Sequence, residues 1–120
     1  MRCRWAEGFG RETGTVTAEF ATVLPAVILV LGCCLGAIAV IGQQVRLTDA
    51  SADAARALSR GDAVGPVSAL VVAEVPGALL AVESRGDFVC ARLDAPSSVG
   101  LFSAWGLSLD ATSCALGGGR

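Results

Sequence analysis

The chain has 120 residues, of which 53 % are hydrophobic and 17 % charged, short of the roughly 25 % charged residues of a soluble domain, so part of it belongs in a membrane or a buried assembly interface. Nine basic residues, all arginine, stand against eleven acidic ones for a net charge of −2, and without a basic cluster or aromatic platform there is no case for a nucleic-acid partner. There is no His, no nucleophile with a visible base and no phosphate loop, which speaks against an enzyme, a cofactor or a small-molecule substrate.

Residues 1–14 form a short charged leader in which Arg2, Arg4 and Arg11 outnumber Glu7 and Glu12. From Phe20 to Gly42 the sequence carries no charge. As a helix this stretch rises about 35 Å, enough for a hydrocarbon core of roughly 30 Å. Arginines ahead of it predict a cytoplasmic N-terminus and a remainder on the outside. It is too long for a secretory h-region of roughly 7–15 residues, so it is read as a retained membrane span over residues 20–42. Pro25 either kinks this helix or is tolerated near its start.

Helical periodicity continues through residues 43–60. Leu47, Ala50, Ala54, Ala57 and Leu58 share one face, while Arg46, Asp49, Asp53, Arg56 and Arg60 gather on another with opposite charges three residues apart. One helix over residues 15–60, about 69 Å long, is predicted to end at Gly61. Residues 61–120 then read as a small extracytoplasmic domain. Pro66 suits the first turn of a short second helix, with Val67, Leu70, Val71 and Val75 on one side and Pro76-Gly77 as its stop.

Beyond Gly77 the period changes to two. Residues 78–83 and 88–94 read as strands joined through Ser84-Arg85-Gly86-Asp87. A loop over 96–106 contains Phe102 and Trp105, 107–115 alternates as a third strand, and the glycine-rich tail from Gly117 is expected to be mobile. The fold class is therefore α+β: a long N-terminal helix, a short helix and an antiparallel sheet of about three strands. Of the five cysteines, only Cys90 and Cys114 lie in the polar remainder. Alternation turns both away from the apolar strand faces, and an exported domain favours a disulfide between them. No C-x-x-C spacing indicates a metal site, and Asp87, Asp94 and Asp110 lack the close spacing of a calcium loop.

The most informative stretch is Gly14-Thr15-Val16-Thr17-Ala18-Glu19-Phe20. Glu19 is the sole charge between Glu12 and Arg46, at the mouth of an apolar helix where an ionisable group is costly. A capping box would explain it locally, but that requires Ser or Thr three residues earlier, and position 16 is Val. Glu19 therefore calls for a partner elsewhere.

A glycine, a hydrophobic stretch with Glu five positions on, then Phe, resembles the class III signal of type IV prepilins. Together with the charged leader, the uncleaved apolar helix, Gln43-Gln44-Val45-Arg46 and the Ala/Asp-rich stretch after it, the chain resembles TadE-like minor pilins of actinobacterial Tad systems. The resemblance implies cleavage between Gly14 and Thr15 by a prepilin peptidase. It assigns Glu19, with Phe20 beside it, to assembly: Glu19 would pair with the new α-amino group of Thr15 on a neighbouring subunit and fix registry. The implied partners are the peptidase, the major pilin, other minor pilins and the cytoplasmic membrane. The alternative is a signal-anchored envelope protein with a small extracellular binding domain. A lipoprotein cut before Cys33 in Val30-Leu31-Gly32-Cys33 is a third reading, opposed by the apolar run that continues to Gly42.

Overall fold

The computed structural model describes residues 9–118, with side chains from residue 14 onward; leader residues 1–8 and the last two residues of the tail lie outside the described residues. The chain divides into two compact units, one up to Ala37 and one from Ile38. Helix α1 (Phe9–Ser59) runs through Pro25 and starts before the Thr15 that the sequence suggests. Between residues 14 and 37 every side chain is exposed except at the half-buried Gly36. The helix is long and apolar enough to cross a membrane.

The second unit contains the remainder of α1, α2 (Val64–Glu74), β1 (Leu79–Arg85), β2 (Phe88–Pro96), α3 (Gly100–Ala104) and β3 (Ser108–Leu116). The strands form one antiparallel sheet in the order β1-β2-β3, so the predicted α+β layout of long helix, short helix and three strands holds. Strand limits differ from the expected ones by one or two residues at most ends. The β1–β2 turn tightens to Gly86-Asp87, since Arg85 already pairs with Phe88. Gly86 has φ 61°, a left-handed value that favours glycine in such a turn.

The core joins Leu47, Ala50, Ala54 and Ala55 of α1 to Val67 and Val71 of α2, with Val75 and Ala78 just beyond it, and to Ala91, Leu93, Ala95 and Ala111 of the sheet. Of these, only Leu47 and Leu93 are large side chains that are fully buried. Gly61 ends α1 as predicted, with φ 94°. Its N–H donates to Leu58 O at 3.1 Å and that of Asp62 donates to Ala57 O at 3.1 Å, a paired closure that satisfies the last helical carbonyls.

Four details depart from expectation. Leu70 is 66 % exposed, because burial follows the i, i+4, i+8 row of Val67, Val71 and Val75 and leaves i+3 at its margin. The expected loop over 96–106 contains the five-residue helix α3. Gly117, at the start of the tail, is held by its N–H to Asp87 O at 2.6 Å. On α1, Arg56 pairs with Asp53 at 3.1 Å, but among the described residues Arg46 enters no ion pair.

Candidate functional site

Two regions of α1 carry the residues that the sequence marks out. At Gly14–Phe20 the residues are helical and exposed. The Thr22 hydroxyl donates to the Glu19 carbonyl at 2.8 Å, a bond along the helix that leaves the Glu19 carboxylate outside. Among the described residues no ion pair involves Glu19. A Cβ on Gly14 would meet nothing within 4 Å, so packing inside the chain gives no reason for glycine there. Cys33 and Cys34 are exposed free cysteines, and the helix passes through both.

The second region begins where the apolar run ends. Gln43 Nε2 donates to Pro96 O at 2.9 Å, and Gln43 Oε1 accepts from Ser98 N at 3.0 Å. Gln44 Nε2 donates to Asp110 O at 2.9 Å. Neighbouring helical residues diverge by about 100°, so the two amides reach different strands: one holds the exit of β2, the other the entry of β3. Two turns on, Ser51 is fully buried. Its hydroxyl donates to Thr48 O at 2.7 Å, which uses its single proton. Ser113 Oγ, 2.7 Å from Ser51 Oγ, is therefore the donor in that pair. Sequence reading marks Gln43-Gln44 only as part of the family resemblance; their partners are two backbone carbonyls and the Ser98 N–H, which carry no sequence signature.

On the sheet face away from α1, Cys90 and Cys114 are directly opposed in register and joined by a disulfide, with Cα atoms 4.0 Å apart. Cys90 is buried without belonging to the core cluster, as the central position of β2 makes natural. Along the same face Asp94 stands opposite Asp110, a like-charge pairing that is unfavourable by itself; Arg92 Nε lies 3.5 Å from Asp94 Oδ2 and offsets it. Among the described residues no cluster could hold a metal ion. Arg85 of the Arg85-Gly86-Asp87 turn is engaged by Glu83 at 2.9 Å.

The family model for TadE-like proteins matches residues 14–56. That segment contains both regions just described on α1 and every α1 residue of the core. Apoptosis inhibitor Rv3655c of Mycobacterium tuberculosis (strain ATCC 25618 / H37Rv) is 33 % identical over 81 residues, covering 68 % of this chain and 65 % of the relative. The match therefore spans just under two thirds of that curated relative's length. No solved structure matches. Over residues 14–56 the chain is thus similar to the TadE-like family.

Proposed function

We propose that the chain is a minor pilin or pseudopilin of a Tad/Flp-type pilus, made as a precursor and cut by a prepilin peptidase between Gly14 and Thr15. The observation that carries this reading is where the family match begins: it starts at Gly14, the residue before the proposed cut and five before Glu19. Two features of the helix support it. Val16, Phe20, Val23, Leu24, Val27, Ile28 and the apolar residues after them are exposed, so this surface needs lipid or the helices of other subunits. Glu19 has no ion-pair partner among the described residues, and a neighbour's Thr15 amine would supply one in a low-dielectric bundle where an unpaired charge is costly. In this reading the N-terminus lies in the cytoplasm, the span is anchored in the cytoplasmic membrane, and the domain from residue 61 lies outside. The direct test is the N-terminal residue of the protein isolated from membranes and from sheared pili. Thr15 is expected, and Met1 would refute the proposal.

A second reading draws on the name of the Mycobacterium tuberculosis relative, which describes an apoptosis inhibitor. Were that property shared by a chain anchored through an uncut helix, as in the signal-anchor alternative, its folded unit would meet a partner outside the cell. It predicts Met1 at the N-terminus, so the same measurement separates the two.

A further inference from the structure

We infer that the segment Ser97–Leu107, through Leu101, Phe102 and Trp105, is a second membrane-contacting element that enters the interface of the bilayer crossed by α1. The inference rests on reading α1 as a membrane span, and it goes beyond that reading because it concerns the folded unit.

Composition is the first support. Between Asp94 and Asp110 no residue is charged, the longest neutral run in the chain outside the α1 span. Leu101 is 57 % and Trp105 74 % exposed, with Phe102 half-buried. The Phe102 and Trp105 rings meet edge to face, centroids 6.3 Å apart. An exposed tryptophan among leucine, phenylalanine and serines suits the bilayer interface, where the indole ring is partly apolar and its N–H remains wet.

The segment is also held in shape. Ser97 N donates to Leu107 O at 2.8 Å and Leu107 N to Phe102 O at 3.0 Å, which closes its base and fixes α3 across it. It would meet lipid preformed rather than having to order on contact.

Position supplies the third support. Gln43, the first polar residue after the apolar run, ties down Pro96 and Ser98 at the root of the segment. Ser98 and Val99 line a cleft together with Ala39 and Gly42. Ala39 lies three residues, about 4.5 Å of helix rise, inside the uncharged run. Arg46 and Glu74 line the same cleft, Arg46 about 6 Å beyond Gly42 along the helix, at a height where a cation meets lipid phosphates. The root of the neutral segment thus lies beside the end of the uncharged run, at the level where a bilayer passes from hydrocarbon to headgroup.

The test uses the full-length precursor with Trp5→Phe, which leaves Trp105 as the remaining tryptophan, in phosphatidylcholine nanodiscs. Entry into the discs is read by co-elution. Phosphatidylcholine brominated near the headgroup end of its acyl chains is expected to lower Trp105 emission roughly twofold, and more than deep bromination does. Iodide quenching is expected to be weak, and Leu101→Asp to reverse both effects while the Cys90–Cys114 disulfide still forms. Failure to enter the discs would overturn the membrane reading and this inference together. Entry with Trp105 open to iodide and indifferent to bromine would overturn the inference alone. Shielding from iodide without bromine quenching would assign the surface to a protein contact, such as a second copy, and also overturn it. So would bromine quenching unchanged by Leu101→Asp.

Discussion

The Cys90–Cys114 disulfide offers a quantitative test of what holds the folded unit together. It closes a loop across a sequence separation of 24. In the chain-entropy treatment a loop of this size destabilises the unfolded chain by about 3.5 kcal/mol. A unit of this size has a total stability of roughly 4–12 kcal/mol, and its core is built mostly from alanine and valine, so the cross-link accounts for a large share. The perturbation is Cys90→Ala with Cys114→Ala in the full chain, held in detergent micelles and unfolded in urea, with the folded fraction read by pulse proteolysis. At a urea slope of about 1–1.5 kcal/mol per M, the midpoint is expected to fall by roughly 2.3–3.5 M. The competing account is purely local: two side chains in register on one sheet face contribute about 0.2–1 kcal/mol, which moves the midpoint by less than about 1 M. A shift that small would refute the loop-closure reasoning.

Three further outcomes follow from the geometry. Leu93→Ala, at a position with 0 % exposure in the central strand, is expected to cost about 2–5 kcal/mol in the same urea assay. Ser51→Ala removes the acceptor of the Ser113 hydroxyl and is expected to cost about 1 kcal/mol; adding Ser113→Ala is expected to cost less than the sum of the two single changes, and strict additivity would refute the pairing. Glu19→Val is expected to preserve membrane insertion and cleavage after Gly14 while reducing co-purification with major pilin, with Glu19→Asp intermediate. Normal piliation at matched protein levels in the Glu19→Val strain would refute the proposed role of Glu19.

The elements most legible in sequence are those whose signal is repeated along the chain. The uncharged run is legible from its length, the Leu47–Ala54 face repeats with the helical period, and Gly61 and Gly86 mark ends that need a left-handed backbone. The α3 helix is invisible for the opposite reason: it is five residues long and Val99 gives it no side-chain cap, so nothing local announces it. Likewise Val67 and Leu70 are equally apolar, and only the arrival of α1 on one side decides which is covered. In the family segment, Gly14, Glu19 and the Gln43-Gln44 pair are readable as a pattern of residue types. What Gln43 and Gln44 hold is not, because Pro96 and Asp110 contribute only carbonyl oxygens, as any residue in those strands would.

The bonds that seat the sheet on α1 also set the order of events when the chain is made. Gln43 reaches 53 residues ahead to Pro96, Ser51 reaches 62 to Ser113, and Gln44 reaches 66 to Asp110. At a synthesis rate of about 5–20 residues per second, the helix waits roughly 3–13 s for strands that do not yet exist. Throughout that interval Leu47, Ala50 and Ala54 lack their cover, and the chain is open to capture by any other apolar surface nearby. The vulnerable period of this protein is therefore its synthesis, and it ends when β3 closes over the helix.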